Sequence, residues 1–357
     1  MKKIFALSTL SILATLALSS CSKVSTDSPV PEEAQQEISF QTAYYEGQTK
    51  ADSHNHLELG TNFFVRAYYT GDATWGETLL ANTVLHMNNV EIEKTGDVWK
   101  AKTGTYYWPK AGKLSFFGYT GWDGTKTFST EDKTALFSSV ETISNTSDPM
   151  VADLATDLSS NPTTATHFVP GVPMLFHHTA AKIAFQAKTA DEGDLGAGEG
   201  LKYVVKINSL STSDMFTQGT YTLDATNATV SGAWSNPAEA KPLSYLSSAQ
   251  TLNTTAAALG TAGQVTVLPQ SVADIKAVVN YTIEVYKAEG YTEASEPMAK
   301  NTFSNVQVSL ATTSITAWEQ NKIYTYTLII SPVDGEITFD PAVVPWINVN
   351  PAAEVEI

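Results

Sequence analysis

The chain has 357 residues, of which 43% are hydrophobic and only 16% are charged, against about 25% charged residues in an average soluble protein. The net charge of −16 disfavours nucleic acid as a partner, and a single cysteine excludes a disulfide framework and any cysteine-based metal site. The abundance of Ser, Thr, Asn, Gly and Tyr favours strands and turns over helices. Composition therefore predicts a β-rich protein and excludes a helical bundle or a disordered chain.

The N-terminus is predicted to carry an export signal over residues 1–20. Lys2 and Lys3 precede an apolar run over residues 4–18, which is shorter than the ~20 residues of a transmembrane helix and is typical of a signal peptide. The run ends at Cys21, in a sequence that resembles the lipobox of bacterial lipoproteins. That resemblance implies that Cys21 is lipidated and begins the mature chain, and Ser22 after it resembles the outer-membrane sorting class. Residues 21–36, which are polar and contain two prolines, are predicted to form a flexible tether.

The remaining residues are predicted to form many short antiparallel strands. Residues 38–42 alternate apolar and polar side chains, as in a half-buried strand. The turn at residues 95–97 predicts a hairpin, and the turn at residues 109–112 predicts a second hairpin between residues 106–108 and 114–119. Residues 149–159 are predicted to form a short helix. Further strands are predicted at residues 63–69, 172–177, 182–187, 203–210, 264–268, 278–286 and 323–330.

This pattern predicts an all-β protein of two antiparallel β-sandwich domains. The proline-containing segment 161–171 is the best candidate for the boundary between them. We therefore place an N-terminal sandwich at residues 37–170 and a C-terminal sandwich at residues 171–357.

The last eleven residues alternate apolar and polar side chains to the end of the sequence. The apolar set includes Ile347, Val349, Ala353, Val355 and Ile357. Eleven residues in a strand span about 36 Å at ~3.3 Å per residue. An apolar face at a terminus predicts either a strand that enters a groove elsewhere or an edge strand of its own domain, and the sequence leaves both open.

No motif predicts catalysis. The glycines of residues 193–200 lie among acidic residues, which suits a mobile loop better than a phosphate-binding loop. Neither a metalloprotease His-Glu-x-x-His motif nor a Gly-x-Ser-x-Gly motif occurs. The chain is expected not to be an enzyme and to need no cofactor.

The histidines give only a weak indication of a metal site. His54 and His56 would share one face of a strand, but their polar surroundings favour a loop. His177 and His178 are adjacent and would point to opposite faces of a strand, so they could not share an ion. No metal site is expected.

Aromatic residues offer two interpretations. Seven tryptophans and 15 tyrosines could stack on sugars in a groove, but aromatic residues also fill sandwich cores, which we favour. Trp75 and Trp122 are the tryptophans we expect to be exposed if a glycan site exists.

Taken in order along the chain, several runs resemble the fimbrillin family of Bacteroidales, the Mfa-like lipoproteins related to type V pilins. The resemblance covers nearly the whole chain after the lipobox and ends near Trp346. Its runs are QTKA (48–51), FVRAYY (64–69), YYWP (106–109), LSFFGY (114–119), DPM (148–150), DL (153–154), PMLFHH (173–178), AKIAF (181–185), LPQ (268–270) and WEQNKIYTYTL (318–328).

The resemblance implies two tandem transthyretin-like sandwiches, exported as a lipoprotein to the outside of the outer membrane. In this family a surface protease removes the N-terminal strand, and a strand from a neighbouring subunit fills the gap. The implied partners are other fimbrial subunits and the outer membrane, together with ligands on host or bacterial surfaces. The removable strand would include Ile38, Phe40, Thr42 and Tyr44, and the donor strand would be the C-terminal tail.

Two residues depart from the family pattern. Cleavage in the family follows an arginine, whereas the only arginine here is Arg66, within a predicted core strand. Lys50 occupies the comparable position. Either the protease accepts lysine and cuts between Lys50 and Ala51, or this subunit is not processed and acts as an anchor or a tip. Pro351 lacks the N–H that a donor strand would use at that position. The subunit could therefore belong to a stalk, an anchor or a tip, and a glycan-binding lipoprotein of a polysaccharide-uptake system is the alternative.

Overall fold

The structure, a computed structural model, describes residues 35–44, 60–162, 171–190, 200–260, 263–333 and 335–346. Within these ranges the chain forms β-strands and two short 3-10 turns, Leu80–Asn82 and Lys133–Ala135, and no α-helix. The all-β prediction is confirmed. The strands are β1 (Phe40–Tyr44), β2 (Phe63–Gly71), β3 (Val84–Thr95), β4 (Val98–Ala101), β5 (Lys113–Thr120), β6 (Thr125–Phe128), β7 (Phe137–Thr142), β8 (Met150–Ala152), β9 (Ala155–Leu158), β10 (Val172–His178), β11 (Ala181–Thr189), β12 (Leu201–Thr212), β13 (Met215–Asp224), β14 (Ser231–Lys241), β15 (Ser244–Leu246), β16 (Gln250–Thr251), β17 (Ala257–Ala258), β18 (Gln264–Val267), β19 (Gln270–Ser271), β20 (Lys276–Lys287), β21 (Ala299–Ser309), β22 (Ala317–Trp318), β23 (Lys322–Ile330) and β24 (Ile337–Pro345).

Eight of these strands form one sheet in the order β2-β3-β4-β1-β10-β8-β5-β9. A further pairing between β2 and β5 closes the first seven strands into a ring, which we call the closed sheet. Alternate residues of β2, such as Phe63 and Val65, face the interior of this sheet with Phe116 and Phe176. All pairings in the closed sheet are antiparallel except that of β1 with β10.

A four-stranded sheet, ordered β14-β13-β7-β6, shares a second aromatic core with the closed sheet. This core joins Phe117 and Tyr119 of β5 to Phe137 of β7 and Tyr221 of β13. Strand β5 therefore contributes residues to two cores. Burial on both faces explains why its sequence is a continuous apolar run rather than an alternating one.

The third core is that of a β-sandwich. Two five-stranded sheets contribute to it, one containing β17-β11-β23-β24 with β18 and the other β15-β12-β20-β21 with β16. Phe185 of β11 and Tyr326 of β23 are buried in this core together with Ile207 of β12 and Tyr281 of β20. Strands β11 and β23 pair in parallel over eight positions.

Two local predictions are wrong. Residues 149–159, predicted to be helical, contain β8 and β9, because Met150, Val151 and Ala152 are buried and pair with β5 and β10. The hairpin predicted across residues 109–112 does not form either. Tyr107 instead makes an isolated antiparallel bridge with Glu37, and β5 pairs with β2.

The hairpin predicted at residues 95–97 is confirmed. Strands β3 and β4 pair from Ile92 with Ala101 to Thr95 with Val98. Only two residues connect them, and Gly96 has a φ of +63°, a conformation that glycine adopts without steric cost.

Strand β10 follows the predicted domain boundary but belongs to the closed sheet. The four-stranded sheet likewise combines β6 and β7 with β13 and β14. The division into sandwiches at residues 37–170 and 171–357 stays a prediction.

The three longest strands at sheet ends are each interrupted. Strand β14 contains Pro237 and has positive φ angles at Asn236 and Glu239. Strand β21 has a φ of +54° at Asn305, and β24 contains two prolines. Such residues break the regular row of hydrogen-bonding groups that an edge strand offers to another chain.

Candidate assembly site: the seat of β1

Strand β1 lies between β4 and β10 in the closed sheet. It pairs in parallel with β10 from Phe40 with Val172 to Tyr44 with Phe176, and in antiparallel fashion with β4 at Phe40 and Trp99. The Val172 amide donates to the Ser39 carbonyl at 2.7 Å. Residues 36–39 precede β1 and continue it. We call the part of the protein that contacts β1 and residues 36–39 the β1 seat.

The residues before β1 continue its hydrogen bonding. The Ile38 amide donates to the Tyr106 carbonyl at 2.8 Å, and the Trp108 amide donates to the Gln36 carbonyl at 3.0 Å. Residues 36–44 are thus held along their length by main-chain bonds to segments distant in sequence.

Alternate side chains of this segment enter the core. Ile38, Phe40 and Thr42 are each no more than 2% exposed, as their apolar–polar alternation predicted. The Phe40 ring makes edge-to-face contacts with Phe63 and Phe116, at centroid distances of 6.0 and 5.8 Å. Such contacts fix register, because a shift by one residue would turn these side chains to the opposite face.

Asn161 binds the segment through its side chain. Its Oδ1 accepts hydrogen bonds from Trp108 Nε1 at 2.9 Å and from the Ser39 amide at 3.3 Å, and its Nδ2 donates to the Glu37 carbonyl at 2.9 Å. Asn161 is only 8% exposed. One amide group therefore connects the N-terminal segment to the wall of the seat.

We expect Asn161→Ala to lower the free energy of unfolding by about 2 kcal/mol, because it leaves buried donors and acceptors without partners at about 1–3 kcal/mol each. Urea denaturation measures this change. Among the described residues, the exposed Asn227 donates a side-chain hydrogen bond only to its neighbour Thr226. Asn227→Ala is therefore the matched control and should change stability little. Equal stability of the two variants would contradict this role of Asn161.

Gly171 gives β1 the space it occupies. A Cβ atom at residue 171 would lie 2.9 Å from the Phe40 carbonyl carbon and 3.0 Å from the Phe40 amide nitrogen. The Gly171 carbonyl also accepts a hydrogen bond from Gln41 Nε2 at 3.1 Å. The backbone of β1 therefore approaches this residue more closely than any side chain would allow.

Trp346 is buried at the end of the described chain. Its indole stacks on the His178 ring at 3.9 Å with an interplanar angle of 4°, and Lys182 Nζ lies 4.1 Å from its centroid. The Trp346 amide donates to the Asn321 carbonyl at 2.9 Å. Trp346 immediately precedes the predicted donor tail, and these contacts hold it against the start of β11.

Burial lowers the pKa of two basic side chains beside Trp346. Burial lowers the pKa of His178 against the opposing effect of Asp148, whose Oδ1 lies 2.6 Å from His178 Nδ1. Burial likewise lowers the pKa of Lys182, which Asp148 opposes. His177 contacts Asp153 instead, which fits the predicted divergence of the two histidines.

Arg66, the only arginine, is 8% exposed and lies within β2. Its Nε donates to the Tyr68 hydroxyl at 3.0 Å, its Nη1 donates to Asn88 Oδ1 at 2.8 Å, and its guanidinium lies 4.2 Å from the Phe128 ring centroid. A protease needs an accessible, extended segment. Arg66 is therefore protected from cleavage in the folded protein.

Trp75 and Trp122 are buried, as the favoured interpretation of the aromatic residues predicts, and are not the exposed tryptophans that a glycan site would need. Trp75 is 2% and Trp122 is 6% exposed. Both fill the aromatic core shared by the closed sheet and the four-stranded sheet, where their indole nitrogens donate to the carbonyls of Ala225 and Met150.

Several predicted site residues lie outside the described residues. They are Cys21, Lys50, Ala51, His54, His56, Ile347, Val349, Ala353, Val355 and Ile357, together with most of the glycine-rich segment 193–200.

Among the described residues, no group of three or more His, Cys, Asp or Glu side chains could hold a metal ion. No helix in the described ranges is long and apolar enough to cross a membrane.

Comparison with known proteins identifies the family. The Fimbrillin-like family model matches residues 49–346. None of the curated proteins matches this chain. A fimbrial protein from Bacteroides vulgatus has a similar structure, with a TM-score of 0.56 and 19% sequence identity over 87% of this chain and 99% of that one.

Two other solved structures match with lower TM-scores. A candidate cell adhesion protein from Bacteroides uniformis has a TM-score of 0.46 and 18% identity, over 89% of this chain and all of the other. One from Bacteroides ovatus has a TM-score of 0.47 and 14% identity, over 88% of this chain and 99% of the other. On the match of the family model to most of its length, the chain belongs to the fimbrillin-like family.

Proposed function

We propose that this chain is a fimbrial subunit at the cell surface that joins a neighbouring subunit by exchange of β1. Membership in the fimbrillin-like family supports a role in a pilus or in adhesion. The observation that supports exchange of β1 is the position of this strand. It lies between β4 and β10 and comes from the extreme N-terminal part of the described chain.

Loss of β1 would expose both main-chain and apolar groups. The edges of β4 and β10 would lose their partner, and the space now filled by Ile38 and Phe40 would open to solvent. An extended strand from another subunit restores both kinds of contact. Main-chain hydrogen bonds supply affinity, and alternate side chains entering the seat supply register.

The donor in this proposal is the C-terminal tail, with Ile347, Val349, Ala353, Val355 and Ile357 on its apolar face. This alternation has the same period as that of residues 38–42, which supports the idea that both segments fit one seat. The tail begins directly after Trp346, whose indole is fixed against His178.

Cleavage between Lys50 and Ala51 would release β1. It would also detach the subunit from a lipid at Cys21, the proposed anchor in the outer membrane. The burial of Arg66 supports Lys50 over the chain's only arginine as the processing residue.

The test follows processing and polymerisation together. Surface protein from producing cells is sequenced from its N-terminus and run without heating on a denaturing gel. We expect a chain that begins at Ala51 and a ladder of polymers, because removal of β1 opens the seat. Deletion of residues 348–357 should abolish the ladder and leave the monomer folded, and Lys50→Ala should leave the chain uncut and monomeric.

Lys110→Ala is the matched control, since Lys110 is an exposed lysine outside the strands. It should be processed and should polymerise as the unaltered chain does. A ladder that persists without residues 348–357 would overturn the donor tail. An N-terminus other than Ala51 in the polymer would overturn processing at Lys50.

The fimbrillin-like family also supports a non-enzymatic role. The alternative of a glycan-binding lipoprotein rests on the aromatic content of the chain, and burial of Trp75 and Trp122 removes the two tryptophans that we expected to bind a sugar.

A further inference from the structure

A cleft of about 540 Å³ lies between β13, β14 and residues 268–275, well apart in sequence from β1. Its walls are largely apolar and include Phe216, Trp234, Pro237 and Leu268. Asp214 and Asp274 also line it and supply its charge. Phe216 is 39% exposed, so the cleft presents an aromatic surface to solvent.

Specific hydrogen bonds hold the cleft in shape. Gln270 accepts from the Phe216 amide at 3.0 Å and donates to the Phe216 carbonyl at 2.9 Å, which ties the two walls together. Trp234 Nε1 donates to the Thr179 carbonyl at 2.6 Å. Gly219 leaves room for the indole, since a Cβ at that residue would lie 3.1 Å from Trp234 Cε3.

Asp214 and Asp274, which both line the cleft, lie on two segments that are in contact. The Ser213 amide donates to the Lys276 carbonyl at 2.8 Å, and the Lys276 amide donates to Ser213 Oγ at 3.0 Å. This double contact brings together the two segments that carry the aspartates. Both aspartates are exposed, and neither forms an ion pair with another described residue.

The nearby lysines are engaged elsewhere. Lys276 Nζ donates to Gln307 Oε1, and Lys241 Nζ lies 3.0 Å from Glu239 Oε2. The cleft therefore combines apolar, aromatic walls with two carboxylates. This combination complements a lysine or arginine side chain, which has an apolar stem and a cationic head, and an aromatic face also attracts cations.

We propose that this cleft binds a basic segment of another polypeptide, in which lysine or arginine adjoins apolar side chains. Charge complementarity selects this partner, since the two carboxylates attract a cationic segment and repel anionic glycans or nucleic acid.

The ligand is recognised by its side chains rather than by strand addition. Strand β14, which forms one wall, is an edge strand, but Pro237 lacks an N–H and Asn236 and Glu239 have φ angles of 50° and 53°. A regular ladder cannot extend along this edge. The cleft is therefore distinct from the β1 seat in position and in mode of binding.

Isothermal titration of the full chain at low salt tests this proposal. The probe is a capped pentapeptide of alternating leucine and arginine, and the reference probe has glutamate in place of arginine. We expect only the basic peptide to bind. The double variant Asp214→Asn, Asp274→Asn should raise its Kd about tenfold, as expected for the loss of two exposed ion pairs. Phe216→Ala should weaken binding as well.

The control is the double variant Asp97→Asn, Glu293→Gln, which makes the same change in net charge at exposed acidic residues outside the cleft. It should leave the Kd unchanged. Equal affinity of the basic peptide for both double variants would overturn the proposal, as would the absence of peptide binding. Binding of neutral maltohexaose that is lost in Phe216→Ala, without peptide binding, would assign the cleft to a glycan instead.

Discussion

Replacing Gly171 with valine is expected to lower the free energy of unfolding by about 3 kcal/mol, at the upper end of the usual cost of overpacking. The new Cβ would lie 2.9–3.0 Å from three backbone atoms of Phe40, and backbone cannot rotate away as a side chain can. Strand β1 would have to move out of its seat, with partial loss of the Phe40 contacts to Phe63 and Phe116. Urea denaturation measures the loss of stability, and hydrogen exchange locates it.

Gly76→Val is the matched control, because a Cβ at residue 76 meets no atom within 4 Å. Hydrogen exchange in Gly171→Val should be faster at the amides of Ile38 and Val172, which bond across the seat, than at those of β20. Equal stability of the two glycine variants would show that β1 tolerates a side chain beside it. Exchange accelerated equally in β20 would show general loosening rather than local displacement of β1.

Replacing Trp346 with alanine is expected to cost about 3–5 kcal/mol, the usual range for a buried tryptophan. Trp346 is 1% exposed, and its indole is stacked on His178 with Lys182 beside it. Its removal also hydrates the imidazole. Because burial is the main cause of the lowered pKa of His178, that pKa should move up toward 6.5 in the variant, as NMR titration can measure.

Val344→Ala is the control for this substitution, since Val344 is two residues away on β24 and 50% exposed. It should change stability by less than about 0.5 kcal/mol, as most surface substitutions do. If Trp346→Ala were as stable as Val344→Ala, the aromatic stack would not anchor this end of the chain.

Local sequence patterns predicted most of the strands and the alternation of Ile38, Phe40 and Thr42. They failed at residues 149–159, where the short strands β8 and β9 each hold few residues and periodicity cannot be recognised. They favoured burial of the aromatic residues, which holds for Trp75 and Trp122, but they could not identify the core that these residues fill, because that depends on how two sheets pack.

The β1 seat could not be derived from local patterns for a similar reason. Phe40 and Val172 are paired across more than a hundred intervening residues, and no local signal encodes that pairing. Asn161 and Gly171 are typical turn residues by sequence. Their roles in holding β1 follow only once β1 and β10 are neighbours, since the constraint is the distance between two backbones.

The interrupted edges of β14, β21 and β24 have a consequence for the shape of an assembly. A subunit that binds a strand of its neighbour in the β1 seat would form branched or sheet-like aggregates if its other edge strands also paired with neighbouring subunits. In the proposed polymer, the prolines and left-handed residues of these edge strands would suppress such side growth. Growth would then run in one direction, and the proposed product would be a thin, unbranched fibre.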